Sequence, residues 1–168
     1  MDSRSAASGA AATDALPARL PLQLGEQLCF ALYSTNLAMN KVYRALLGEL
    51  GLTYPQYLVL LVLWEKDRLR VSQIGDRLFL DTPTLTPLLK RMEALGVLGR
   101  RRARDDERQV IVALTRKGQA MKRRARGVVA GVFCATECAP QQIAALRDSL
   151  LPLRERLFRN AALATPKA

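Results

Sequence analysis

The chain has 168 residues, of which 49% are hydrophobic and 24% are charged, which is enough for one domain with a substantial core. The net charge is +11, and residues 97–126 alone hold eleven lysines and arginines against three acidic residues. A positive field concentrated in one segment favours a polyanionic partner, although a solvated basic surface would have the same composition. The chain has no histidine and no apolar run long enough to span a membrane, which argues against a zinc site, histidine-based catalysis and a membrane protein.

The three cysteines, Cys29, Cys134 and Cys138, are too few for the disulfide framework of a secreted protein. They predict a reducing, cytoplasmic compartment. Because three thiols alone make a weak metal site, we expect neither a metal nor another cofactor. Residues 1–20 lack the compact apolar segment of a signal peptide, so we expect a disordered tail there and a second, short tail at residues 163–168.

The segment from residue 22 to about residue 50 predicts one long helix, because apolar residues recur along a single stripe without an interrupting proline. At ~1.5 Å per residue such a helix spans about 40 Å, more than the core of a small domain needs, so we expect part of it to pack against a second subunit. Cys29 lies in its first third, Tyr33 follows one turn later, and Tyr43 lies close to the same face. A free cysteine more often packs than reacts, but hydroxyl donors stabilise a thiolate, and the thiolate is the form that peroxides attack.

A second helix is expected from Tyr54 to about Glu65, capped by Thr53. Residues 58–63 are apolar on every side, which predicts a buried helix. Tyr54 and Tyr57 at its start are compatible with an ordinary core position.

Residues 71–114 have the pattern of a winged helix-turn-helix. A short helix capped by Ser72 is followed by a corner at residues 79–81 and by a second helix from about Thr82 to Gly96, in which Pro87 predicts an irregular first turn. The apolar face of this second helix points into the domain, and its opposite face suits a DNA major groove. The candidate DNA-contacting residues on that helix are Thr82, Thr84, Thr86, Lys90 and Arg91.

Two β-prone segments, residues 97–102 and 110–112, flank a charged turn and predict a two-stranded hairpin with a basic tip, or wing. Arg108 at the tip suits a DNA minor groove, and Asp106 suits a role in positioning a neighbouring arginine. An ordinary α+β domain fits the helices and the hairpin equally well, and only the basic charge of the hairpin favours DNA.

Beyond the wing, Thr115 is expected to cap a helix that continues to about Glu137, with Cys134 and Cys138 on one face of its last turn. Two small core residues would explain that pair as well. A last helix, from Gln141 to about Arg159, has an apolar face with too little of its own chain to cover it. We therefore expect a two-fold dimer built from the first and last helices.

The motifs Thr53-Tyr54-Pro55-Gln56-Tyr57, Leu85-Thr86-Pro87-Leu88-Leu89-Lys90-Arg91 and Asp106-Glu107-Arg108 resemble the MarR family of winged-helix regulators. Gln27-Leu28-Cys29-Phe30-Ala31-Leu32-Tyr33 resembles its organic hydroperoxide sensor branch, the OhrR-type repressors, and the similarity covers about residues 22–160. The fold class expected is mainly α with a small β-hairpin wing and with dimerisation helices at both ends. The expected layout is a domain at residues 21–162, with a DNA-binding lobe at about 53–115 between dimerisation helices at about 22–51 and 116–160.

The resemblance also implies roles for individual residues. Cys29 matches the peroxidatic cysteine, Tyr43 and Tyr54 match tyrosines that hydrogen-bond its sulfur from the partner subunit, and Cys134 matches the resolving cysteine of the two-cysteine subclass. Arg108 matches the arginine that enters the minor groove, with Asp106 as its structural partner. Thr82-Pro83 departs from the Ser-Gly that we expect in the family.

The function expected on these grounds is that of a homodimeric, non-enzymatic repressor. It would bind a pseudo-palindromic operator in double-stranded DNA until an organic hydroperoxide oxidises Cys29 and an intersubunit disulfide with Cys134 forms. Three other functions fit the residues less well: a MarR-type regulator released by a reversible phenolic ligand, a thiol peroxidase, and a DNA-binding protein without sequence preference.

Overall fold

The computed structural model describes residues 22–103, 106 and 108–161, which form six α-helices and a small sheet. The fold is mainly α with a β-hairpin wing, as expected. Both predicted tails lie outside the described residues, as do Asp105 and Glu107 of the predicted charged turn. The elements follow a short 3-10 helix at Leu24–Glu26, and their order is α1 (Leu28–Gly48), α2 (Tyr54–Glu65), β1 (Leu69–Arg70), α3 (Val71–Leu78), α4 (Thr82–Ala94), β2 (Leu98–Arg102), β3 (Val110–Leu114), α5 (Arg116–Thr136) and α6 (Pro140–Ala161).

The chain divides into two compact units, residues 1–41 and residues 42–168, and the boundary falls within α1. In the first unit, the described part of the chain exposes large apolar side chains, among them Leu28 and Leu37. The second unit contains the buried core. None of the described helices is long and apolar enough to cross a membrane.

The core of the second unit is organised around α2, which is mostly buried, as its composition predicts, although Leu58 and Leu61 are half-buried. Val59, Leu60 and Leu63 are at most 1% exposed and belong to one apolar cluster with side chains of α3, α4 and α5. At the start of α2, the Thr53 backbone N–H donates to the Gln56 side-chain oxygen at 2.8 Å, which caps the helix at the predicted position. The other buried members of the cluster include Ile74, Leu85, Leu89, Met92, Met121 and Ala125.

The wing is one edge of a three-stranded antiparallel sheet, not an isolated hairpin. The strand order is β1-β3-β2, with Leu69 paired to Val112 and Arg100 paired to Val112 from the other side. Sequence analysis missed β1, because two residues are too few to produce a detectable alternation. Through β1 the sheet continues directly into α3.

Three details of the helix-turn-helix differ from the sequence-based expectation. The short helix α3 begins at Val71, so Ser72 lies inside it, and the Arg70 backbone N–H is satisfied by the Gln73 side chain at 2.9 Å. Asp81 in the corner caps α4, since its carboxylate accepts from the Thr84 backbone N–H at 2.9 Å. Pro87 lies inside a continuous helix rather than producing an irregular turn.

The corner between α3 and α4 is held by contacts on both sides. Phe79 ends α3 in a left-handed conformation, with φ 57°. Its ring stacks on Phe158 near the end of α6, with centroids 4.9 Å apart and planes 15° apart, and the Arg154 guanidinium lies 4.5 Å from the ring centroid. A Cβ at Gly75 would lie 2.6 Å from the Leu80 carbonyl oxygen, so only glycine allows the chain to pass this closely.

The start of α5 is fixed to the base of the wing. Thr115 caps the helix, accepting from the Gly118 N–H at 3.1 Å, and its hydroxyl donates to the Gly96 carbonyl at 2.7 Å. The Trp64 indole N–H donates to the Gly118 carbonyl at 3.0 Å, which joins α2 to the same turn. Helix α5 therefore leaves the wing in one defined direction.

The other end of α5 corrects the prediction for the cysteine pair. Glu137 adopts a left-handed conformation, with φ 52°, and ends the helix, so Cys138 lies beyond it and does not share a helical face with Cys134. The Cys138 N–H instead donates to the Thr136 hydroxyl at 3.4 Å. Within the single chain Cys134 is exposed and Cys138 is half-buried, which argues against two core residues.

Candidate functional site

Helix α4 buries one face and presents the other to solvent, as a DNA-recognition helix must. Leu85, Leu89 and Met92 are fully buried. The exposed positions include Thr82, Thr84, Lys90 and Arg91, and Thr86 is half-buried.

The threonine side chains of α4 differ in the hydrogen bonds that they can still form with a ligand. The Thr86 hydroxyl donates to the Thr82 carbonyl at 2.8 Å, so its remaining capacity is to accept a hydrogen bond. Thr84 is engaged with Asp81 through both its side chain and its backbone N–H, and these bonds hold the pKa of the Asp81 carboxyl below its usual range. Lys90 and Arg91 have no ion-pair partner among the described residues, so their charges remain available for phosphate groups.

Asp106 shapes the tip of the wing through the backbone. One carboxylate oxygen accepts from the Arg108 backbone N–H at 3.0 Å and the other accepts from the Gln109 side chain at 2.8 Å. The Gln109 backbone N–H also donates to the Asp106 carbonyl at 2.9 Å, which closes a tight turn. Asp106 thus fixes the backbone at Arg108 rather than binding its guanidinium, and the Arg108 side chain projects from the turn into solvent.

The recognition helix and the wing are joined by an ion pair that sequence analysis missed. The Glu93 carboxylate on α4 accepts from the Arg100 backbone N–H at 2.9 Å and from its guanidinium at 2.6 and 2.9 Å. These bonds hold the pKa of the Glu93 carboxyl below its usual range. A polar residue such as Arg100 inside a β-strand does not indicate by itself which residue it will pair with. The Glu93–Arg100 contact nevertheless helps to set the position of the wing relative to α4.

Four aromatic residues form a continuous cluster where α1 ends and α2 begins. The rings of Tyr43 and Tyr54 lie 4.1 Å apart, Tyr57 lies 6.1 Å from Tyr43, and Trp64 packs edge-on against Tyr57 at 6.2 Å. Burial, followed by the neighbouring Tyr54 and Tyr57, raises the pKa of Tyr43 to about 12. Burial and Tyr54 also raise the pKa of Tyr57. A side-chain hydrogen bond between Tyr43 and Tyr54 contributes to the higher pKa of Tyr43 and links the two hydroxyls directly.

The structure brings together Tyr43 and Tyr54, which sequence analysis assigned to one site. Cys29 lies on the second residue of α1, and its thiol is free and exposed in the single chain, as is that of Cys134. Tyr33 is 60% exposed one turn beyond Cys29. The intersubunit arrangement that the family resemblance implies for Cys29 and this tyrosine pair stays a prediction.

Comparison with known proteins identifies the fold and the branch. The family model described as transcriptional regulator SarA/Rot, a MarR-like winged-helix family, matches residues 41–124. The organic hydroperoxide resistance transcriptional regulator of Bacillus subtilis (strain 168) is 41% identical over 139 residues, which cover 83% of this chain and 95% of that protein. The chain belongs to the MarR family of winged-helix transcriptional regulators, in its OhrR-type branch.

Two further relatives of this regulator extend the comparison. The HTH-type transcriptional regulator TtmR of Methylorubrum extorquens (strain PA1) is 49% identical over 141 residues, 84% of this chain and 72% of that protein. Reduced AbfR bound to DNA has 34% identity and a TM-score of 0.67, covering 80% of this chain and 93% of that chain. A disulfide form of AbfR, a protein of Staphylococcus epidermidis, matches with 38% identity and a TM-score of 0.57 over 77% and 91% of the two chains.

Proposed function

We propose that this protein is a homodimeric repressor that leaves its operator when an organic hydroperoxide oxidises Cys29. The observation that carries the proposal is the Tyr43–Tyr54 pair at the junction of α1 and α2, whose ring centroids lie 4.1 Å apart. Two hydroxyl donors beside a thiolate stabilise its negative charge and so increase the fraction of reactive sulfur. The relatives named for hydroperoxide resistance and solved in a disulfide form support the same conclusion.

Operator binding is assigned to α4 and the wing. Thr82, Thr84, Thr86, Lys90 and Arg91 face the major groove. Arg108, set by the turn at Asp106, enters the adjacent minor groove. The net charge of +11 strengthens phosphate contacts and makes binding sensitive to salt. The DNA-bound form of AbfR supports this assignment.

The second copy is proposed to cover the apolar faces that the single chain leaves open. Leu146, Leu150 and Leu157 on α6 are 60%, 42% and 59% exposed, and an apolar face of this kind suits an interaction surface. The first half of α1 is also apolar and exposed. A two-fold dimer through α1 and α6 would place two α4 helices about 34 Å apart, one turn of DNA, on a pseudo-palindromic site.

The proposed chemistry has two steps. The Cys29 thiolate attacks the terminal oxygen of the hydroperoxide, the O–O bond breaks, and the leaving alkoxide takes a proton to become an alcohol, which leaves Cys29 as a sulfenic acid. The Cys134 thiolate of the partner then attacks that sulfur, an S–S bond forms, and the sulfenic oxygen leaves as water. Two electrons from a dithiol restore both thiols.

The route from the redox site to DNA runs through α2. Tyr54 is the first residue of this helix, and α2 packs against both α3 and α4. Because α2 is a continuous helix that is mostly buried, a displacement at Tyr54 is expected to move the helix as a rigid body. A shift of a few ångströms at α4 is sufficient to prevent simultaneous contact with two half-sites.

The test is fluorescence anisotropy of the reduced protein on DNA from upstream of its own gene, before and after one equivalent of cumene hydroperoxide. We expect release by the peroxide and recovery with dithiothreitol. Cys29→Ser should bind and resist release, whereas Cys138→Ser, the matched control, should behave as wild type. On a non-reducing gel the oxidised wild type should run as a disulfide-linked dimer, and Cys134→Ser should not.

Release of Cys29→Ser by the peroxide would refute the sensing role. A wild-type protein that binds tightly and ignores the peroxide would leave the DNA-binding assignment intact and favour a reversible phenolic ligand. Repeated turnover of hydroperoxide at a fixed protein concentration with a dithiol present would instead indicate a thiol peroxidase.

A further inference from the structure

The outward face of the wing sheet carries a basic trough with no assigned role. Its volume is about 340 Å³, and its lining includes Arg68, Arg101 and Thr115. Gly99 and Ala113, directly paired across β2 and β3, also line it, and their small size leaves the space open. Arg100 also lines the trough, but its guanidinium is paired with Glu93 of α4, and Val112 on the opposite face of the sheet is buried.

The side chains of Arg68 and Arg101 in the trough are exposed, and their positive charges are not paired with acidic side chains of the described residues. Among the described residues, neither the Arg68 nor the Arg101 guanidinium has a hydrogen-bond or ion-pair partner, and both side chains are exposed. The backbone at Arg68 is held in a left-handed conformation, φ 58°. The Asp67 carboxylate fixes it there by accepting from the Arg68 N–H at 2.8 Å and from the Leu114 N–H at 2.9 Å. A non-glycine residue in this conformation costs about 1–2 kcal/mol, so the position of Arg68 is imposed by its surroundings.

The trough lies on the hairpin that carries the proposed minor-groove contact. Gly99 is three residues from Arg102, the last paired residue of β2, which corresponds to about 10 Å at ~3.3 Å per residue. The outward face is turned away from α4, which contacts the opposite face through Glu93 and Arg100, so a duplex that receives Arg108 and continues beyond the wing would approach it. We propose that Arg68 and Arg101 bind phosphates of the DNA that flanks the operator, outside the minor groove entered by the wing tip. This proposal rests on the DNA-binding function proposed above.

The expected contribution is electrostatic and depends on duplex length. A two-fold dimer has two wings and thus four such arginines, and each neutralised phosphate contributes about 0.9 to the slope of log affinity against log salt. Flanking DNA should therefore steepen the slope by about 3 to 4. Between 50 and 200 mM salt, the advantage of a long duplex over a short one should fall by up to roughly 100-fold.

The experiment uses two duplexes from upstream of the protein's own gene, after footprinting has located the protected segment. The short duplex ends at the protected minor grooves, and the long one extends about ten base pairs further on each side. Anisotropy titrations in a salt series compare wild type with the double variant Arg68→Gln and Arg101→Gln. Arg123→Gln with Arg126→Gln, two exposed arginines of α5, is the matched control because it removes the same charge elsewhere.

The wild type should bind the long duplex more tightly and with the steeper slope, and the double variant should lose that difference while binding the short duplex as before. Arg101→Lys should retain most of the gain, since the charge is kept. The proposal is overturned if wild type binds both duplexes equally, if the double variant loses affinity equally on both, or if the α5 control loses the length dependence as well. Weak wild-type binding to the short duplex would instead count against the proposed operator-binding function.

Discussion

At Gly118, the addition of a single methyl group should strongly lower the stability of the fold. It lies in the first turn of α5, against the base of the wing, and a Cβ built there would lie 2.0 Å from the Val97 carbonyl oxygen and 3.1 Å from the Leu114 side chain. Gly127, two and a half turns further along the same helix, has no atom within 4 Å of the equivalent position. The two glycines therefore form a matched pair for alanine substitution.

The magnitude follows from the geometry. Restoring an ordinary contact of 3.4 Å with the Val97 oxygen requires a displacement of about 1.4 Å in a backbone that also forms the start of β2. Such overpacking costs about 1–3 kcal/mol or somewhat more, while alanine in place of glycine inside a helix gains about 0.5–1 kcal/mol. We expect Gly118→Ala to lose about 2 kcal/mol of unfolding free energy, or roughly 4–8 °C in melting temperature. Gly127→Ala should gain about 0.5–1 kcal/mol.

Thermal denaturation at one fixed protein concentration measures both changes, because the melting temperature of a dimer depends on concentration. Operator affinity should also fall for Gly118→Ala, since α5 and the wing then meet at a different angle, and should stay unchanged for Gly127→Ala. Equal melting temperatures for the two alanine variants would refute the packing argument at Gly118.

Three further predictions concern the contacts that hold the DNA-binding lobe. Trp64→Phe removes the indole bond to the Gly118 carbonyl and should cost at least about 1 kcal/mol in chemical denaturation, with no change in peroxide response. Asp81→Ala leaves the N-terminus of α4 uncapped and should lower both the melting temperature and the operator affinity. Asp81→Ser, which can still cap the helix, should restore most of both. Equal behaviour of the two variants would contradict the capping role. The pKa of Glu93 is lowered by Arg100, so this pair stabilises the fold at neutral pH and loses that contribution as the pH falls below about 4.5. The melting temperatures of wild type and Glu93→Gln should therefore converge over that range. A constant difference between them would argue against the ion pair.

Most helices were predictable because their signals are local, although the first begins at Leu28, after a 3-10 turn and an extended Gln27, and not at residue 22 as predicted. Thr53 and Thr115 cap α2 and α5 where the sequence indicates, and most of the apolar run of α2 is buried. Signals that depend on distant residues were not predictable. Strand β1 forms because Leu69 pairs with Val112, far along the chain, and its two residues have no periodicity of their own.

In the candidate site, too, some contacts were predictable from the sequence and others were not. The Tyr43–Tyr54 contact agrees with the spacing of a helix end and a following helix start. The Glu93–Arg100 link was missed because it joins a helix to a strand, and hydrophobic patterning contains no information about polar pairs across elements. Helix α5 ends close to Glu137 as predicted, but Cys138 was wrongly placed on its last turn, because Glu137 adopts a left-handed conformation that glycine usually occupies and no glycine marked the stop.

Because Phe79 stacks on Phe158, α6 contacts the corner between α3 and α4 in addition to carrying the surface proposed for the second subunit. The apolar face of this helix is the one proposed for the second subunit, and its last turns hold the corner that leads into α4. Subunit association and operator binding then draw on the same segment, so their free energies are linked. By reciprocity, the operator must tighten the dimer by the same factor by which dimerisation tightens operator binding, and a weakened Phe79–Phe158 contact would reduce both affinities together.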